Sequence, residues 1–210
     1  MSIRPLNFVA EAPDASEELA RAEVYGLLAQ LFYGPPSPEL HAQLRVAVTE
    51  APARGAFLES AFGELVAAAR RLALEQVRAE YEALFFATGK PEVFLYGSYY
   101  AAGALNEKPL VALRDELAAL GLARGEGVFE TEDHIACLCE VMRYLIAGTE
   151  GPPADLQLQR RFYERQLRGW VERLAEALIA HPRADFYRAA GTFARDFFAV
   201  EGQAFDLLDT

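Results

Sequence analysis

Residues 58–85 read LESAFGELVAAARRLALEQVRAEYEALF, and their apolar spacing decides the fold class. Leu58, Phe62, Leu65, Val66, Ala69 and Leu72 recur at intervals of three and four, which lines them along one face of an α-helix. The register shifts near Leu74 and resumes through Val77, Tyr81, Leu84 and Phe85. One bent helix, or two helices meeting at that point, is expected.

The same period extends outward in both directions. Ala20, Val24, Leu27, Leu28 and Leu31 share a face of a first helix, with Asp14 and Glu17 as a capping box and Gly34, Pro35 and Pro36 as its stop. Ser37 before Pro38 reads as the N-cap and first position of a short helix running to about Glu50, with Pro52 and Gly55 breaking the chain after it. Thr88 to Gly97 reads as a loop, and Ser98 to Leu105 as a short irregular or helical piece. Pro109 opens a helix with Leu110, Leu113, Leu117 and Leu120 inward and Gly121 past its end, and the glycines at 125 and 127 continue the turn. Thr131 is placed to cap the next helix, with Glu132 and Asp133 in its first turn and Ile135, Leu138, Met142, Leu145 and Ile146 inside. Gly148 to Pro153 is the clearest linker and a candidate hinge. Asp155 then caps one long helix carrying Phe162, Leu167, Trp170, Val171, Leu174 and Leu178 and ending at Pro182. A last helix spans about Asp185 to Val200, with Tyr187, Ala190, Ala194 and Phe197 on one side. The expectation is an all-α bundle of roughly seven to nine helices forming a single domain over residues 1–210.

Composition narrows the function. A chain of 210 residues that is 52% hydrophobic and 24% charged can bury a core without disulfide staples. Its two cysteines, Cys137 and Cys139, are too close together to frame a fold, which suits a reducing compartment. The net charge of −11 argues against a nucleic-acid partner and favours a basic one. No run reaches the roughly 18 apolar residues of a membrane span. The apolar stretch Leu6 to Ala10, behind Arg4 and Pro5, is too short for a secretory core, so a cytoplasmic protein is expected.

Recognisable catalytic motifs are missing: there is no phosphate-binding glycine loop, no nucleophile elbow and no H-E-x-x-H. Three stretches concentrate side chains able to bind something. Glu130-Thr131-Glu132-Asp133-His134 is dense in carboxylates, Tyr81-Glu82-Ala83-Leu84-Phe85 is aromatic, and Tyr96-Gly97-Ser98-Tyr99-Tyr100 sets three tyrosines around a glycine. Each also reads as ordinary structure: a capped helix start, core packing and a packed loop. His134, Cys137 and a carboxylate would be the seed of a metal site, but Cys137 and Cys139 point to nearly opposite sides of a helix and cannot chelate together. No cofactor or metal is expected. A metal-dependent enzyme centred on His134 and a helical adaptor for a partner helix stand as the other readings.

The ordered set of these stretches resembles a known family. Tyr81-x-x-Leu84-Phe85 is similar to the aromatic-x-x-Leu-Phe motif of the TorD/DmsD/NarJ redox-enzyme maturation chaperones, and Glu130 to His134 to their E-P-x-D-H motif. Leu95-Tyr96-x-Ser98-x-Tyr100 resembles their P-Y-x-S-x-Y stretch, Phe162 to Trp170 their F-x(4)-L-x-x-W helix, and Phe186-Tyr187 their C-terminal end. The likeness covers Leu74 to about Phe198, with Thr131 and Leu95 standing where proline is usual. It implies a purely helical, non-enzymatic chaperone, monomeric or homodimeric. Its partner would be the twin-arginine signal peptide of a molybdopterin-type oxidoreductase, held until cofactor is loaded. Carried over, the signal-peptide-binding residues are Tyr81, Leu84, Phe85, Tyr96, Ser98, Tyr100, Glu130, Glu132, Asp133 and His134.

Overall fold

The computed structural model describes residues 13–49, 58–86, 90–103, 105, 108–148 and 155–209, without the side chains of 13–16 and 209. Among these residues there are ten α-helices, one terminal 3-10 turn and no strand. The expected capping role of Asp14, the breaks at Pro52 and Gly55, the stretch Leu6 to Ala10 and the hinge beyond Gly148 lie outside the residues or side chains described.

The helices form two compact units. One is built from Gly34–Val93 and Glu172–Thr210. It holds α2 (Pro38–Val46), α3 (Glu59–Arg71), α4 (Leu74–Phe85), most of α9 (Val171–Ala180) and α10 (Phe186–Asp206). The other is built from Asp14–Tyr33 and Phe94–Val171. It holds α1 (Pro13–Tyr33), α5 (Gly97–Ala102), α6 (Lys108–Ala119), α7 (Ile135–Ala147) and α8 (Leu156–Gln166).

In the first unit α10 is the central element and packs on α3 and α4. The expected stripe of Tyr187, Ala190, Ala194 and Phe197 is buried, joined by Phe186, Phe193 and Phe205. Ser37 caps α2 as its sequence predicts, its Oγ accepting from Leu40 N at 3.1 Å. The register shift near Leu74 is a true break. Leu72 turns to an extended conformation, its carbonyl meets His41 Nε2 at 3.1 Å, and a new helix starts. His41 is therefore a buried histidine that closes a helix end.

In the second unit α7 packs on α8, and α5 on α6. Gly121 follows α6 with φ +71°, and Leu122 N returns to Leu117 O at 2.9 Å, the closure its glycine predicts.

Two expectations need correction. The long helix from Asp155 to Pro182 is two helices. At 166–170 the chain turns: Arg168 N bonds Tyr163 O at 3.0 Å, and the Trp170 indole N–H takes the Gln166 carbonyl at 2.7 Å. Apolar spacing continues across this turn, because Leu167, Trp170 and Val171 are all buried, so the period does not register it. That break and the one at Leu72 raise the count above nine. Thr131, second, does not cap α7. The helix starts at Ile135, and His134 is its N-cap.

Candidate functional site

Polar groups with no helical partner must find others when buried, and the second unit resolves this at one junction. The extended stretch at Leu95–Gly97 pairs antiparallel with Asp133–Ile135. Ile135 N donates to Leu95 O at 2.8 Å and Gly97 N to Asp133 O at 2.9 Å. The Asp133 side chain completes it, with Oδ2 accepting from Ser98 N at 2.9 Å and Oδ1 from the Thr131 hydroxyl at 2.6 Å. The Tyr96 hydroxyl donates to Glu130, and its ring meets the His134 ring edge-on at 5.0 Å. Tyr100 is held by Phe94 O at 3.0 Å and stacks on Trp170.

His134 is 2% exposed, and its Nδ1 accepts from Ala136 N at 3.2 Å, as a neutral ring must. Burial pushes its pKa down to about 4, against the opposing pull of Glu130 and Asp133. An unfolded histidine binds its proton near 6.5. Between those values the unfolded chain therefore carries more protons than the folded one. This contribution to stability is intact above about pH 6.5 and drains away as pH falls towards 4, by on the order of 3 kcal/mol. Urea midpoints from pH 7 to 4 should fall more steeply for the wild type than for His134→Asn, whose amide oxygen can still cap Ala136. Parallel profiles would show that His134 is not the source.

Beside this junction lies an apolar groove of about 360 Å³, wholly within the second unit. Ala29 and Tyr33 of α1, Leu117 of α6, Leu122 and Val128 of the following loop, and Ala136 and Val141 of α7 supply its walls. Glu132, Glu140 and Arg124 are the charged residues that line it. Tyr33 joins groove and junction, because its ring also approaches that of His134 at 6.4 Å. Cys137 faces the groove, and burial followed by the carboxylates of Glu130, Glu132 and Asp133 raises its thiol to about 11. Phe129, at the loop's end, is 89% exposed.

The third stretch belongs to the first unit. Tyr81, Leu84 and Phe85 are buried there, with the Tyr187 ring tilted against that of Tyr81 at 5.6 Å and edge-on to that of Phe85 at 5.1 Å. Just before them, Glu80 accepts from the backbone N–H groups of Asp185, Phe186 and Tyr187 at 2.8, 3.1 and 2.8 Å. Arg71 grips Asp185 through both carboxylate oxygens, at 2.6 and 2.7 Å, and holds its carboxyl below the usual range.

A family model described as nitrate reductase delta subunit matches residues 53–176, more than half of the chain. The chain belongs to this family. Its relatives include the chaperone protein TorD of Vibrio cholerae strain M66-2, 28% identical over 204 residues that cover 90% of this chain and 93% of that one. TorD of Vibrio atlanticus is 29% identical over 201 residues, covering 87% and 93%. A crystal structure of a redox enzyme maturation protein from Archaeoglobus fulgidus has the same fold, with a TM-score of 0.60 over 93% of this chain and 99% of that one at 16% identity.

In this TorD/NarJ-type chaperone the motif residues divide by exposure. Ser98, Asp133 and His134 are buried, as are Tyr81, Leu84 and Phe85, whereas Tyr96, Tyr100, Glu130 and Glu132 are half-buried. The family stretches at 95–100 and 130–134 meet in one junction; that at 81–85 lies in the other unit. Glu80, Glu140 and Val141 look like ordinary helical residues, and Leu122 and Val128 like ordinary turn residues, until their neighbours are known. Among the described residues no three His, Cys, Asp or Glu side chains gather as a metal ion would need, and no helix is long and apolar enough to cross a membrane.

Proposed function

We propose that this chain is a cytoplasmic chaperone that binds the twin-arginine signal peptide of a molybdopterin-type oxidoreductase and holds it until cofactor is inserted. The apolar groove lined in part by Glu132 and Glu140 receives the peptide. The observation that carries this reading is the position of Glu132: a residue of the acidic family motif among those that line an apolar groove. A twin-arginine signal has the complementary parts, a guanidinium pair and an apolar run.

Magnitudes assign the roles. Burying about 400 Å² of apolar surface contributes on the order of 10 kcal/mol gross at about 25 cal/mol per Å². Ordering the peptide and losing its rigid-body freedom offset much of that. Exposed ion pairs add only about 0–1 kcal/mol each. The apolar run therefore supplies affinity and the arginines supply orientation, in a micromolar range. Asp133, Ser98 and His134 serve the site from below by holding the turn that presents Glu132. Tyr96, Tyr100 and Glu130 shape the junction next to the groove, and Tyr81, Leu84 and Phe85 act by keeping the first unit folded.

Titration calorimetry of the whole chain with a signal peptide tests the reading. Val141→Arg, which sets a cation into the groove wall, is expected to weaken binding at least tenfold with helicity and melting unchanged. Bound peptide should also slow alkylation of Cys137 by a neutral thiol reagent, while Cys139, fully buried, reacts with or without it only on unfolding. Undiminished binding by Val141→Arg, or an unprotected Cys137, would move the site off this groove. Equal binding of any apolar helix, with or without arginines, would make the protein a general adaptor instead.

A further inference from the structure

Both groove carboxylates are already holding arginines of this chain. Arg114, on α6, sets its Nε and Nη2 against Glu132 Oε2, each at 3.0 Å. Arg143, on α7, sets its Nε and Nη2 against Glu140 Oε2, at 2.9 and 2.7 Å. The two pairs share a form: one guanidinium presenting two donors to one carboxylate oxygen. Both guanidinium side chains are about half exposed, at 50% and 51%, while Glu132 is only 14% exposed. The carboxylates line the groove, and neither arginine is among its walls.

We propose that Arg114 and Arg143 are placeholders. They occupy the Glu132 and Glu140 carboxylates in the free chaperone and yield them to the arginine pair of the incoming peptide. The inference rests on the signal-peptide reading above.

Three physical points support it. A largely covered carboxylate beside apolar walls is unfavourable unless paired, so the empty groove needs a resident cation at Glu132. The resident pair is weak, since half-exposed arginines give up an exposed ion pair at little cost, and water receives the released guanidinium. The exchange conserves the contact, one fork for another, and a lysine's single ammonium cannot reproduce two fixed donors. The chain's own arginines thus compete with a basic-headed peptide for the same carboxylates, and the carboxylates themselves make the selection. Glu132, in the turn before α7, and Glu140, within α7, line the same groove, so one peptide segment seated there meets both carboxylates. The stem of Arg143 runs close over α1, where a Cβ added at Gly26 would lie 3.0 Å from Arg143 Cδ, so the guanidinium can swing off Glu140 while its stem stays seated.

The test uses the full chain, one signal peptide carrying Arg-Arg and the same peptide carrying Gln-Gln. Arg114→Gln with Arg143→Gln is expected to tighten the Arg-Arg peptide about tenfold and leave the Gln-Gln peptide unchanged. Glu132→Gln with Glu140→Gln is expected to erase the difference between the two peptides. Should the arginine double variant lose helicity, Arg114→Gln alone carries the test with a severalfold gain. If the wild type prefers Arg-Arg but the arginine variants bind it no better, the placeholder inference is overturned and the signal-peptide reading stands. If the wild type binds neither peptide, both fall.

Discussion

Asp133→Ala is expected to destabilise the protein by about 4 kcal/mol, a large fraction of a typical margin of about 5–15 kcal/mol. Asp133 is 4% exposed and ties its own turn to the segment at Gly97–Ser98. Its side chain accepts from Ser98 N and Thr131 Oγ1, and its own carbonyl accepts from Gly97 N. Alanine keeps the last, leaves Ser98 N an unmet donor inside the fold and takes the acceptor from the half-buried Thr131 hydroxyl; an unmet buried donor costs about 1–3 kcal/mol, and the lost bonds to a charged acceptor add to it. The Ser98 hydroxyl, itself buried without a partner, cannot compensate. Urea unfolding checks this. Asp133→Asn, which retains an acceptor for Ser98 N, should fall between wild type and alanine. The family likeness taken alone implies that Asp133 contacts the peptide directly. Alanine would then reduce affinity and leave the urea midpoint unmoved, and that result would return Asp133 to the binding surface.

Glu80→Ala should cost about 3 kcal/mol through a different device. α10 begins with amide donors that have no partner within the helix, and its N-cap Asp185 makes no side-chain capping bond. Glu80 of α4 does the capping from outside, taking the amides of Asp185, Phe186 and Tyr187 on one carboxylate at the positive end of the helix dipole. Hydrogen bonds to a charged acceptor contribute about 1.5–3 kcal/mol each when dry. Glu80 is half-buried, so water replaces part of the loss. Hydrogen exchange should show the three amides of residues 185–187 losing protection in the variant. Glu80→Gln should lose less, because Oε1 alone already serves Asp185 and Tyr187. Unchanged protection would mean that Arg71 and Asp185 hold this helix start without Glu80.

These two carboxylates show how far the sequence could be read. Asp133 was legible as important, since it sits in a recognisable family motif, but its direction was not. In EDH after a glycine-rich turn, a helix beginning at Thr131 and one beginning at Ile135 satisfy the same pattern. The choice turns on Leu95 and Ser98, more than thirty residues earlier, which offer backbone partners that a helix starting at Thr131 would forgo. Glu80 was not legible at all, because its partners lie more than a hundred residues later. The break at 166–170 was hidden by the same locality: the apolar period runs on across it.

By itself, the sequence determined that the chain is helical, which helix faces are apolar, and which family it resembles. Those properties depend on neighbours three and four residues away. Only the tertiary structure decided that the family's aspartate and histidine turn inward, that Glu132 and Glu140 line one groove, and that each holds an arginine of the chain. A charged side chain's partner is set by whichever distant segment folds against it, and periodicity carries no record of that.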